Sequence, residues 1–134
     1  MKILLADDHQ LILNGLLSVL IKQFPSAICD GVVNKKQLFE KLRENDYTIL
    51  IQDLKFGHDN AKDFLDEIIE EFPQLKIIML TTVSDSVTVK QLSKKVDSYI
   101  MKSESLDEII TAINKLNSGE KYYSSLAEQK MRDL

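Results

Sequence analysis

Short apolar runs alternate with helical stripes along the whole chain, and that alternation leaves few folds open. Residues 3–6 form a continuous apolar run of the kind a strand buried on both faces requires, and it stops at Asp7-Asp8. Leu13, Leu16, Leu17, Leu20, Ile21 and Phe24 then recur at helical spacing up to Pro25, which predicts a helix over roughly 10–24. A weak strand is expected at 27–29 and 32–33, a short helix at 36–44, and a strongly apolar strand at 47–51 that ends at Gln52-Asp53. Phe64, Leu65, Ile68, Ile69 and Phe72 mark another helix ended by Pro73, and the run 77–80 is a strand that closes on Thr81-Thr82. A weak helix over 87–95, a short strand Ser98–Met101 ending at Lys102, and a last helix through Leu106, Ile109, Ile110, Ile113 and Leu116 complete the pattern. Five strand and helix alternations predict an α/β fold, a doubly wound parallel sheet with helices on both faces. Residues 120–134 carry no clear pattern and are expected to be a helix or a linker stub.

In such sheets ligands bind beyond the carboxyl ends of the strands. The residues delivered there are Asp7 and Asp8 from strand one, Asp53 from strand three, Thr81 from strand four and Lys102 from strand five. Each has a plain structural alternative: an acid pair after a strand caps the next helix, and a lone Thr or Lys at a strand end is commonly a satisfied hydroxyl or a surface charge. Taken together they form a rarer set. Carboxylates gathered at one edge repel by about 4 kcal/mol per pair at 4 Å and an effective dielectric near 20. Lys102 offsets part of this, and a hard divalent cation bound through oxygen, Mg2+ above all, is the natural partner of the rest. With that charge screened, Asp53 is a candidate nucleophile toward phosphorus and Thr81 a donor to a phosphoryl oxygen.

The other features exclude more than they assign. One cysteine, Cys29, among 134 residues supplies neither a disulfide nor a CxxC pair. No run is long enough for a membrane span and no signal peptide is evident, so a cytoplasmic protein without membrane contact is expected. A net charge of −4 works against binding a phosphate backbone directly. No P-loop, GxGxxG, GxSxG or HExxH occurs. His9 falls at the start of helix one and His58 in a loop, and neither selects a chemistry.

The segment ILLADDH at 3–9, the Asp53 region, Thr81, Tyr99 and Lys102 resemble, in order, the receiver domain of two-component response regulators. The opening DDHQLILNGL and the closing LDEIITAINKLNSGEKYYS are similar to the NarL/FixJ subclass, whose receivers precede a LuxR-type helix-turn-helix domain. The resemblance implies a CheY-like, flavodoxin-like sheet of five strands in the order 2-1-3-4-5 with five helices. It implies that Asp53 accepts a phosphoryl group from a sensor histidine kinase, with no turnover chemistry beyond self-phosphorylation and autodephosphorylation. Asp8, Asp53 and the main-chain carbonyl of Lys55 would ligate Mg2+ or Mn2+, and Asp7 would act through water. Thr81 and Lys102 would take the phosphoryl oxygens, and Tyr99 would be the aromatic switch, although on sequence grounds alone it is a half-buried strand aromatic. Homodimerisation on phosphorylation would control transcription, with DNA reached only through a C-terminal helix-turn-helix domain, and none follows Leu134 in this sequence. The receiver is then expected over 1–120 and a tail or linker start over 121–134.

Some positions depart from the family pattern. Lys55, Phe56, Gly57 and Ala61 stand where a small polar residue, Met, Pro and a later Gly are usual. Thr82 replaces the smaller residue that leaves water a path to the phosphate, and with Lys55 it is expected to slow phosphate loss. Lys95-Val96-Asp97 lacks the glycine common before Tyr99, and Ser103 replaces a proline. The unusual loop motivates a second reading, a pseudo-receiver that acts as a protein-interaction module without phosphate. A haloacid-dehalogenase-like phosphatase lacks its second acid, since that position is Lys55.

Overall fold

The computed structural model describes residues 1–133, which divide into two compact units, the first ending at Leu75 and the second starting at Lys76. The first unit runs β1 (Lys2–Ala6), α1 (Gln10–Gln23), β2 (Ile28–Val32), α2 (Lys35–Glu44), β3 (Ile49–Gln52), β4 (Lys55–Phe56), β5 (Asp59–Asn60), a 3-10 turn (Ala61–Asp63) and α3 (Leu65–Glu71). β1 lies between β2 and β3 and is parallel to both. Its residues Ile3, Leu4, Leu5 and Ala6 are buried, as are all four of β3, which is why both read as unbroken apolar runs.

α2 starts at a reciprocal cap: the Asn34 side chain accepts from the Gln37 N–H, and the Gln37 side chain accepts from the Val33 N–H. α1 packs against β2, and the contact explains a glycine in the middle of that strand. A Cβ on Gly31 would stand 3.0 Å from a terminal carbon of Leu13 and 3.0 Å from one of Leu17. The weak, interrupted apolar signal at 27–33 is therefore one continuous strand with its glycine under a helix.

β4 and β5 form an antiparallel hairpin directly after Asp53, where the sequence predicts only a loop. Its turn uses Gly57 at φ +63°, a conformation glycine reaches without strain. The hairpin is anchored rather than pendant, because Leu54, Phe56 and Ala61 are all buried.

The second unit runs β6 (Lys76–Thr81), α4 (Ser86–Ser93), β7 (Ser98–Met101), α5 (Leu106–Asn117), β8 (Tyr122–Tyr123) and α6 (Ser125–Arg132). β7 lies between β6 and β8, parallel to each. Asp85 caps α4 through the Thr88 N–H, and Ser124 caps α6 through the Ala127 N–H. β8 and α6 thus give regular structure to the stretch in which the sequence shows no clear pattern. Tyr123 donates its hydroxyl to the carbonyls of Ser93 and Val96, at the end of α4, and Ala127 is fully buried. Within each unit the strand order agrees with the corresponding part of the predicted order, with β8 added beyond the expected strands.

Candidate functional site

The register of the first unit fixes where its acids emerge. Ala6 is paired with Gln52, so β1 and β3 end side by side, and the next residues of each, Asp7, Asp8 and Asp53, leave at one edge. The Asp53 N–H continues the ladder onto the Ala6 carbonyl at 3.0 Å. Asp7 and Asp53 are buried, and Asp8 is partly exposed. One ligating atom from each of Asp7, Asp8, His9 and Asp53 lies within 4.8 Å of the others. At that separation each ionised carboxylate pair repels by about 3.5 kcal/mol at an effective dielectric near 20.

His9 is a member of this cluster that the sequence reading places only at a helix start. It occupies the cap position of α1, its main-chain N–H donates to an Asp7 carboxylate oxygen at 2.8 Å, and its Nδ1 lies 3.3 Å from Asp7 and 3.5 Å from Asp8. His58 sits exposed at the hairpin turn and is not part of the group. Three convergent carboxylates with one imidazole fit a hard divalent cation through oxygen, with waters completing the shell.

Gln52 is the other residue that sequence reasoning passed over. It is fully buried, its Nε2 donates to the Asp53 carbonyl at 2.8 Å, and its Oε1 has no hydrogen-bond donor. An unpaired buried acceptor costs about 1–3 kcal/mol. The sequence carries one signal for it, a single amide closing the otherwise apolar run Ile49-Leu50-Ile51-Gln52.

In the second unit, Thr81 closes β6 and Lys102 follows β7, and the two strands hold these residues together through the Lys102 N–H, which donates to the Thr81 carbonyl at 2.9 Å. Thr81 is fully buried, and its hydroxyl oxygen accepts from the Val83 N–H at 3.2 Å. Tyr99 donates its hydroxyl to the Val83 carbonyl at 2.9 Å. It is fully buried, not half-buried as its place in a short strand suggested, because β7 has neighbours on both sides and all four of its residues lie inside. Thr81 and Tyr99 therefore hold opposite ends of the same loop residue. Lys55 and Thr82 are exposed. Among the described residues no helix is long and apolar enough to cross a membrane.

Comparison with known proteins agrees with this arrangement. The model of the response regulator receiver domain matches residues 3–114. The response regulator protein VraR of Staphylococcus epidermidis is 29% identical over 133 residues, an alignment covering 98% of this chain and 64% of that protein. VraR of Staphylococcus aureus gives the same figures, 29%, 98% and 64%. The chain thus spans less than two thirds of the length of these relatives. Among solved structures, the isolated REC domain of RcsB from Salmonella enterica serovar Typhimurium with the phosphomimetic BeF3- superposes with a TM-score of 0.88 at 20% identity, covering 98% of this chain and 99% of that one. RcsB of the same organism bound to a promoter gives 0.90 at 21%, covering 98% and 66%. At such identities the likeness is one of fold, and the fold is the doubly wound α/β architecture expected from the strand and helix pattern. With the family model spanning residues 3–114 and the fold shared along nearly the whole length, the chain belongs to the response regulator receiver domain family.

Proposed function

We propose that this chain is a phosphorylation-dependent signal receiver in which Asp53 is the phosphoacceptor. The observation that carries the reading is the pairing of Ala6 with Gln52, which brings the carboxylates of Asp7, Asp8 and Asp53 to one edge with ligating atoms within 4.8 Å. A carboxylate oxygen of Asp53 attacks phosphorus, the bond from phosphorus to the donor's imidazole nitrogen breaks, and the released nitrogen keeps the electron pair. The donor is a sensor histidine kinase. Asp8, Asp53 and the Lys55 carbonyl would hold Mg2+ or Mn2+, with Asp7 acting through water. A cation bound there would supply charge neutralisation at the phosphoryl oxygens. Thr81 and Lys102 are assigned the phosphoryl oxygens as hydroxyl donor and ammonium. Tyr99 is assigned the switch, supported by its hydroxyl and the Thr81 hydroxyl meeting at Val83.

The curated relatives and the closing segment support the NarL/FixJ subclass, the RcsB dimers solved on DNA support homodimerisation on phosphorylation and an output that regulates transcription through a helix-turn-helix domain, and a cytoplasmic setting goes with that role. Incubation with acetyl phosphate and Mg2+ followed by mass spectrometry is the test. One added phosphoryl group is expected on the wild type and none on Asp53→Asn. Equal labelling of both proteins overturns the assignment of Asp53, and no labelling of either leaves the phosphate-independent interaction module as the better reading.

A further inference from the structure

We infer that Gln52 is a positioning residue for the cation and phosphoryl site at Asp53, an inference that rests on the reading of Asp53 proposed above. Three main-chain groups on the way out of β3 are pinned. The Asp53 N–H is held by the Ala6 carbonyl at 3.0 Å, the Asp53 carbonyl by Gln52 Nε2 at 2.8 Å, and the Leu54 carbonyl by the Ala61 N–H at 2.7 Å. The first tie is the sheet ladder and the third is the root of the hairpin. The middle one comes from the Gln52 side chain, and it fixes the peptide plane between Asp53 and Leu54. Rotation of that plane would swing the Asp53 carboxylate on one side and the chain toward Lys55 on the other.

The amide carries a cost that an apolar side chain of the same length would not. Gln52 is fully buried in a strand whose other residues are Ile49, Leu50 and Ile51, and its Oε1 is unsatisfied. Met or Leu there would relieve the desolvation of the unpaired Oε1 and give up the bond to the Asp53 carbonyl, two effects of similar size, so folding alone gives no preference for the amide. Metal sites are built the other way round: partners behind the ligands hold them at the required geometry, and Mg2+ in particular tolerates little departure from it. Gln52 thus adds little to fold stability and fixes the Asp53 main chain.

The experiment compares wild type with Gln52→Met and Gln52→Leu in two measurements that do not depend on phosphate. Mn2+ binding is followed by the electron paramagnetic resonance signal of the free ion, and the thermal midpoint is taken without metal. Both variants are expected to bind Mn2+ more weakly by about tenfold, the lower end of what losing such a supporting contact costs, while their metal-free midpoints stay level or rise. Labelling by acetyl phosphate should then need proportionately more Mg2+ and reach the wild-type rate once the metal is saturating. Variants that bind Mn2+ as tightly as the wild type overturn the inference, and so does a metal-free midpoint that falls along with affinity, which would make Gln52 a support of the fold. Wild-type protein that binds no Mn2+ refutes the cation site itself, a result separable from either of these.

Discussion

Replacing Tyr123 by phenylalanine removes one hydroxyl and leaves the ring, which isolates what the C-terminal segment does for α4. The hydroxyl lies 2.9 Å from the Ser93 carbonyl and 3.1 Å from the Val96 carbonyl. Ser93 is the last residue of α4, where carbonyls lack partners within the helix. One proton shared between two acceptors at a half-buried position contributes about 1–2 kcal/mol. With an unfolding entropy of about 2.1 cal/mol/K per residue, 134 residues give about 0.28 kcal/mol/K, so the midpoint should fall by about 4–7 °C. Urea denaturation should show a lower midpoint at an unchanged slope. Hydrogen exchange should report faster opening at the C-terminal turn of α4. A pH series adds a second check. Burial, and after it the Asp97 charge, raises the Tyr123 phenol above its ordinary value, so the folded state favours the neutral form. The difference between wild type and Tyr123→Phe should therefore be constant below pH about 10 and shrink as pH rises through the folded pKa. An unchanged midpoint would refute the reasoning and would leave the Tyr123 hydroxyl without a part in holding α4.

Three further outcomes are expected. Gly31→Ala places a methyl group 3.0 Å from Leu13 and Leu17 side-chain carbons, and the strain, partly offset by the lower chain entropy of alanine, should cost about 1 kcal/mol by chemical denaturation. In alkaline titration, tyrosinate absorbance should lag that of free tyrosine. Tyr122 is pushed up to about 12 by burial and its hydrogen bond to Glu108, and Tyr47 is raised further by burial and its bond to Asp30. Both favour the neutral form, so their contribution to stability is complete below pH about 10 and is lost above it. Lys55→Asn and Thr82→Ala, both at exposed positions and both assigned to slow phosphate loss, should each speed loss of the phosphoryl group by roughly tenfold, about 1.4 kcal/mol of barrier, read by the decay of the labelled mass. No acceleration in either would remove them as modulators.

The alternation of elements was readable because burial on both faces leaves β1, β3 and β6 almost no polar residues, and because α1 and α5 repeat their apolar positions at helical spacing. The acid cluster was readable for a related reason: in parallel strands of matched register, residues just past the apolar run come out together. What the sequence concealed depends on contacts between distant residues. β8 is two tyrosines that become a strand only by pairing with Ser98 and Tyr99, and α6 has too few turns to show a stripe. The hairpin after Asp53 depends on burial of Phe56 and on the left-handed backbone of Gly57, and no period announces either. Gln52 was visible as a letter and not as a role, since only the structure shows its amide turned onto the neighbouring carbonyl.

Val83 links these observations to the proposed switch. Its N–H is held by Thr81 and its carbonyl by Tyr99, so a single loop residue is tied at both ends by the two groups assigned to sense and report phosphorylation. The two ties differ in strength. At 3.2 Å the Thr81 contact is at the long limit of a hydrogen bond, whereas the Tyr99 contact at 2.9 Å is at the usual length. The Thr81 oxygen accepts from Val83 and retains its own proton to donate, so it can serve a phosphoryl oxygen without first giving up the loop. A shift of a few tenths of an ångström toward that oxygen would nevertheless stretch the weaker tie past useful range and leave Tyr99 as the main anchor of the loop. The segment between β6 and α4 then follows the tyrosine. α4 is held at its far end by the Tyr123 hydroxyl and along its length by the buried Val89 and Leu92, so a change at Val83 meets a helix whose other end is fixed.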